Sequence, residues 1–207
     1  MIDYPIIASI LLIHFLAVIS PGPDFFMAIK NSLTYSRKIG IFTSVGFGLG
    51  IGVHVFYSIA GVALLISESI VIFSIIKYLG VAYLLYIGVK SLLAKPTYLH
   101  IEKQKHKKEV TPIKAIFQGF LTNVLNPKAT LFFLSLFTLV ITPETSTETI
   151  TIVSLAMIVN TILWFTFVSI FLTQKRIRKA YNQYQGYFSK FFGGVLIALG
   201  LKIAFSK

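Results

Sequence analysis

Apolar residues fall in long runs separated by short polar and basic stretches. Six of these runs reach the roughly 20 residues needed to cross a bilayer. They extend from about Tyr4 to Leu33, Gly40 to Ile66, Ile70 to Leu93, Pro112 to Ile141, Glu148 to Thr173 and Tyr187 to Phe205. Two of the six are interrupted. Ser20-Pro21-Gly22-Pro23-Asp24 breaks the first, and Asn126-Pro127-Lys128 breaks the fourth. Proline removes a backbone donor and clashes with the preceding turn, and the residue before it is pushed out of the helical region. Neither stretch can sit inside a regular helix.

After each break the pattern predicts that a helix restarts. Pro favours a first helical position and Asn an N-cap, so Pro23-Asp24 and Asn126-Pro127-Lys128 read as the starts of half-helices. Such a start presents unpaired N–H groups and the positive end of the helix dipole. Each restart also carries a charge, Asp24 in one and Lys128 in the other. A charge at the centre of a span costs about 2.5–3.5 kcal/mol on insertion scales, and ionisable residues inside membranes usually serve function. Near the bilayer midplane the two helix starts and Lys128 can hold a carboxylate, while Asp24 offers a partner for an ammonium or a coupling proton. A direct Asp24–Lys128 salt bridge is the structural alternative.

Composition agrees with a polytopic membrane protein. Of 207 residues 56% are hydrophobic and only 13% charged, about half the share in soluble domains, with a mean hydropathy of +0.81. Cysteine is absent, which excludes disulfides, thiol redox chemistry and cysteine-ligated metal. The net charge of +12 is not the footprint of a nucleic-acid binder, because the basic residues cluster between apolar runs. Met1-Ile2-Asp3-Tyr4 lacks the positive region of a cleaved signal peptide, so the first run is expected to be a retained span.

The charge asymmetry predicts orientation. Lys30, Arg37 and Lys38 follow the first span. Lys95, Lys103, Lys105, Lys107, Lys108 and Lys114 follow the third, and Lys175, Arg176, Arg178, Lys179 and Lys190 follow the fifth. The opposite side carries Lys77, Lys202 and Lys207 with four acids, Asp3, Glu68, Glu144 and Glu148. The positive-inside rule places the three basic loops in the cytoplasm and both termini outside.

The basic loop 95–111 divides a single transmembrane domain, 1–207, into halves 1–94 and 112–207. Each half has three spans, so the second half enters the membrane from the opposite side. The expected fold class is therefore an all-α integral membrane protein of six helices in two inverted three-helix repeats, the first and fourth interrupted. Aligning Pro23 with Pro127 sets Asp24 opposite Lys128. Interrupted helices at matching positions of two halves are the strongest sequence pointer to a transport site.

Other polar residues at membrane depth extend the candidate set. Gly46, Gly50 and His54 form one helical row in the second span, and Ser44, Gly48 and Gly52 form another. Both predict close helix approach. His54, like His14, reads either as an interior hydrogen-bonded residue or as a proton-coupling candidate. Asn123 lies one turn before Pro127, where it can satisfy backbone groups freed by the break. Asn160 and Trp164, four apart, share a face of the fifth span as packing or pocket residues. Tyr78 reads as an interface anchor and Tyr83 and Tyr86 as deeper hydroxyls. No His or carboxylate cluster has metal-ligand spacing, and no nucleophile–base pair suggests an enzyme.

At these residues the chain resembles the LysE/RhtB family of amino-acid exporters. The match covers Ser20-Pro21-Gly22-Pro23-Asp24, the glycine-rich second span, Lys77-Tyr78-Leu79-Gly80 with Tyr83-Leu84 and Gly88, and Asn126-Pro127-Lys128. The resemblance implies a secondary exporter of amino acids or their derivatives in the bacterial plasma membrane, driven by a proton or ion gradient, with no cofactor. It carries over Pro21, Pro23, Asp24, Asn126, Pro127 and Lys128 as motif positions, to which Gly22, Asn123, Asn160 and Trp164 are added as substrate-binding candidates. Expected partners are a small amino acid and membrane lipid, with a homo-oligomer left open and nucleic acid not expected. A cation or metal-ion exporter or channel of related fold is the alternative, since distant relatives export metal ions.

Overall fold

A computed structural model describes residues 2–68, 70–94, 110–140 and 145–205. Among them the chain is all helix: α1 (Tyr4–Ile19), α2 (Pro23–Thr34), α3 (Arg37–Glu68), α4 (Ile70–Leu92), α5 (Pro112–Val124), α6 (Pro127–Val140), α7 (Thr147–Phe171) and α8 (Lys175–Phe205). The order is two short helices around a break followed by two long ones, and it occurs twice. Both breaks fall where the prolines require them.

Local chemistry fixes the helix starts. The Asp3 carboxylate accepts from Ile6 N at 3.0 Å, Thr111 Oγ1 from Lys114 N at 3.3 Å and Ser146 Oγ from Thr149 N at 3.3 Å. Each cap satisfies one of the donors that a helix leaves open. Pro23, Pro112 and Pro127 occupy first helical positions, where the missing N–H costs nothing.

Length decides what each helix can do. At about 1.5 Å per residue, α1 with 16 residues, α2 with 12, α5 with 13 and α6 with 14 each fall short of a hydrocarbon core of about 30 Å. Arg37–Gly61 and Thr147–Phe171 are long and apolar enough alone, and α1 with α2 qualifies as one span bent by 57°. Tyr78–Leu92 and Pro127–Phe137 are shorter apolar stretches.

The sequence pattern and the structure differ at the last helix. The run expected from Tyr187 begins instead at Lys175. Residues 175–188 are amphipathic. Ile177, Tyr181, Tyr184 and Phe188 recur at helical spacing and line one apolar groove, whereas Lys175, Arg176 and Lys179 are exposed. Hydropathy averaged over such a segment is low although the segment is helical. The loop expected at 95–111 lies, for residues 95–109, outside the described residues.

Helices pack through their small residues. A Cβ on Gly46 would collide with the Ile116 carbonyl of α5, and one on Gly119 with the Thr43 carbonyl of α3. The Gly46–Gly50–His54 row therefore runs along α5 and up to its break. Gly48 and Gly52 face Ile158 and Ile162 of α7 instead. Polar groups are turned inward. His14, Asp24, Asn31, His54, Asn123 and Asn126 are buried while Phe56, Leu163 and Phe191 are exposed, a distribution suited to an apolar surrounding.

Candidate functional site

The site grows out of backbone carbonyls that the prolines leave unpaired. In a helix the carbonyl of residue i accepts from the N–H of residue i+4. Pro21 has no N–H to offer Ala17, and Pro127 none to offer Asn123. Both carbonyls are repaired by side chains from elsewhere. Lys128 Nζ donates to Ala17 O at 3.2 Å and to Ser20 O at 3.1 Å. An ammonium at the C-terminal end of α1 also meets the negative end of its dipole. Asn123 O accepts from Asn126 N at 3.0 Å and from His54 Nε2 at 2.9 Å. A carbonyl only accepts, so His54 carries its proton on Nε2, and in the neutral ring Nδ1 accepts from the Tyr57 hydroxyl. His54 also stacks on Phe133, with centroids 5.5 Å apart and planes at 9°.

The start of α2 is braced from the same direction. Gly22 provides no side chain to cap it, and Asp24 stands in its first turn, where a negative charge complements the dipole. Asn123 Nδ2 donates to Asp24 Oδ2 at 2.8 Å. A carboxylate only accepts, which sets the amide nitrogen toward Asp24; Asn123 Oδ1 is directed at Gly50, where a Cβ would collide with it, and has no hydrogen-bond partner of its own. Asp24 Oδ1 is buried without a hydrogen-bond partner. At the start of α6, Asn126 Oδ1 accepts from Lys128 N at 3.0 Å, the N-cap expected from its sequence.

Each broken pair thus mends the other. Lys128 of α6 caps α1, and Asn123 of α5 holds α2. Asp24 and Lys128 line one cavity, but no ion pair joins them among the described residues. The carboxylate is held by Asn123 and the ammonium by two carbonyls. Asn123, expected to serve freed backbone groups, spends its side chain on Asp24 and leaves its own carbonyl to His54.

Two spaces meet at the breaks. On one side lies a cavity of about 50 Å³, lined by His14, Asp24, Asn123 and Lys128 among apolar residues. A space of that size holds about three or four waters. On the other side a vestibule of about 490 Å³ is walled by Tyr83, Tyr86 and Lys90 of α4 and by Gln185 and Ser189 of α8, and floored by both breaks, Pro21, Pro23 and Pro127 included. Ser20, Gly22, Asn126 and Lys128 border both spaces and form the septum between them. Lys128 Nζ also lies 5.0 Å from the Phe192 ring centroid, within cation–π range. Tyr83 donates to Pro127 O at 3.2 Å.

The remaining sequence candidates lie farther out. Asn160 donates through Nδ2 to His14 Nδ1 at 3.2 Å, so His14 carries its proton on Nε2, which faces Thr161 Oγ1 at 3.5 Å. Asn160 positions a cavity residue without lining the cavity. Trp164 lines a separate apolar groove of about 330 Å³ with Phe25 and Tyr181, not the cavity. His14, Thr161 and Lys90 are the site residues that spacing alone did not bring together. Among the described residues no group of three or more His, Cys, Asp or Glu could hold a metal ion.

The family model described as LysE type translocator matches residues 15–207. A leucine efflux protein of Salmonella choleraesuis (strain SC-B67) is 34% identical over 180 residues, covering 82% of this chain and 84% of the relative. An uncharacterized membrane protein of Bacillus subtilis (strain 168) is 30% identical over 196 residues, covering 91% and 93%. A threonine efflux protein of Escherichia coli (strain K12) is 26% identical over 200 residues, covering 96% and 97%. No solved structure matches.

Proposed function

The chain belongs to the LysE type translocator family, and on that premise we propose that it exports amino acids or close derivatives from the cytoplasm by gradient-coupled secondary transport. Its relatives include a threonine and a leucine efflux protein, which are transporters and not enzymes. We read the chain as six spans in two inverted repeats, α1/α2, α3 and α4 against α5/α6, α7 and α8, with the two breaks at the midplane. The basic loops face the cytoplasm, and both termini lie outside. The vestibule, bordered by the Lys90 end of α4 and the early part of α8, then opens inward.

One observation carries this reading: two proline-broken helices converge on a septum with a charge at each restart, and one carboxylate oxygen there has no partner. The substrate carboxylate draws the Lys128 ammonium from the carbonyls of α1, and the substrate ammonium or a coupling proton is taken by Asp24 Oδ1. Loss of the Lys128 cap loosens the septum, and the small cavity enlarges as the vestibule narrows. Gly22, Pro21, Pro23, Asn126 and Pro127 hold the backbone in this arrangement, Asn123 and His54 brace it, and Asn160 orients His14.

Efflux from vesicles preloaded with labelled amino acids tests the assignment. Asp24→Asn and Lys128→Ala are each expected to lower the initial rate by at least about tenfold, the scale of one lost charge-assisted contact. Wild-type efflux by folded variants would overturn the site.

A further inference from the structure

The vestibule is charged with one sign only. Lys90 and Lys128 both line it, and among the described residues no acidic side chain does. Asp24, the one buried acid among the described residues, lies beyond the septum in the small cavity. Lys90 Nζ sits 5.6 Å from the Tyr86 ring centroid. The aromatic face thereby keeps its ammonium against the vestibule wall. The rest of the lining is neutral, with Tyr83, Gln185 and Ser189 among its hydroxyl and amide groups and Phe26 and Ile87 among its apolar ones. The whole chain has only seven acids, Asp3, Asp24, Glu68, Glu102, Glu109, Glu144 and Glu148, against nineteen Lys and Arg. In sequence, Lys95, Lys103, Lys105, Lys107 and Lys108 follow α4, and Lys175, Arg176, Arg178 and Lys179 open α8.

We infer that the vestibule selects amino acids without a cationic side chain, with Lys90 as the residue that rejects lysine-like substrates. This rests on the exporter reading above. A substrate carboxylate is drawn to the septum by Lys128. Its side chain then trails into the vestibule, beside Tyr86, Ile87 and Lys90. A neutral side chain meets apolar and aromatic surface there. A side-chain ammonium meets the Lys90 ammonium there and, among the described residues, no carboxylate, a repulsive element of the kind that builds specificity against a competitor. Repulsion by one unit charge near a protein surface is worth on the order of tenfold or more in relative rate.

The test is a comparison within one preparation. Full-length protein is reconstituted in liposomes preloaded with labelled leucine, threonine, lysine or ornithine, and initial efflux is measured under an imposed proton gradient. Leucine and threonine are expected to leave at least about tenfold faster than lysine and ornithine. Lys90→Glu is expected to raise the lysine-to-leucine ratio several-fold, and Lys90→Met to give an intermediate ratio. Lys90→Met also carries the test if the charge reversal disturbs folding. Lysine efflux within about twofold of leucine, or an unchanged ratio in both folded variants, would overturn the selectivity and leave the exporter reading standing. No efflux of any of the four by folded protein would overturn both.

Discussion

The brace at Asp24 depends on a residue that contains no side chain at all. A Cβ at Gly50 would collide with Asn123 Oδ1 and lie 2.8 Å from Asn123 Cβ and 2.9 Å from Cγ. Because Asn123 Cβ is fixed to the α5 backbone, rotation of the amide cannot relieve the clash. Gly50→Ala must push α3 from α5 or expel the Asn123 side chain, and either outcome breaks the 2.8 Å bond to Asp24. Overpacking costs about 1–3 kcal/mol, and a hydrogen bond to a charged group contributes about 1.5–3 kcal/mol. Replacing Gly by Ala inside a helix returns about 1 kcal/mol. The net loss is about 1.5–5 kcal/mol, or roughly 3–20 °C in an apparent midpoint for a chain of this size. Gly52→Ala is the control, since its Cβ would meet only Ile158 Cδ1 at 3.6 Å, an ordinary contact. The assay is thermal unfolding in detergent beside vesicle efflux. Gly50→Ala should melt early and transport poorly, whereas Gly52→Ala should match wild type or exceed it. A Gly50→Ala protein with a wild-type midpoint and rate would refute the brace.

Three further outcomes follow from the repaired carbonyls and from the charge pattern. Pro127→Ala restores an N–H that can bond Asn123 O in place of His54, so the helix should hold or gain stability while efflux falls by at least about tenfold; wild-type efflux would show that the break is not needed. His54→Phe keeps the stacked ring but removes the Nε2 donor, leaving Asn123 O with the Asn126 N–H alone, which should cost about 0.5–1.5 kcal/mol and lower the melting midpoint; an unchanged midpoint would mean that the Asn126 bond suffices. The chain lacks cysteine, so single cysteines report topology cleanly: in intact cells Glu148→Cys should react with an impermeant thiol reagent and Lys38→Cys and Lys114→Cys should not, and the reverse pattern would invert the assigned orientation.

What could be read in the sequence was whatever depends on near neighbours along the chain. Prolines 21, 23 and 127 mark both breaks because their effect is local and steric. Asn126 caps α6 for the same reason, and the spacing of Gly46, Gly50 and His54 announces a face. The partners that close each break could not be read, because they come from other helices. Asp24 and Lys128 looked like opposites that should meet, yet each has a nearer obligation at a helix end. One usable signal was present. A proline at position n frees the carbonyl at n−4, which names Ala17 and Asn123 directly as groups in need of donors, and His54 and Lys128 are polar donors at membrane depth. The early start of α8 escaped because its stripe of Ile177, Tyr181, Tyr184 and Phe188 is diluted by basic residues on the other face. Lys90 falls inside the third apolar run with no pattern to single it out, and only the fold shows that it faces a space.

At the crossing of α4 and α8, Gly88 and Gly193 stand almost backbone to backbone. A Cβ on Gly193 would lie 2.5 Å from Gly88 O, and one on Gly88 would lie 2.6 Å from Ile197 Cγ1. Helices in such contact cannot slide or roll past each other without collision. The vestibule residues of α4 and α8 therefore stand on one close-packed helix pair, whose rim meets the broken helices. That rim is the seam with the broken helices, where Tyr83 holds Pro127 O and Lys128 rests on Phe192. Ser135 of α6 joins them there, its Oγ donating to Gly80 O at 3.2 Å, so any change in vestibule width that keeps the α4–α8 pair intact has to rearrange all three contacts.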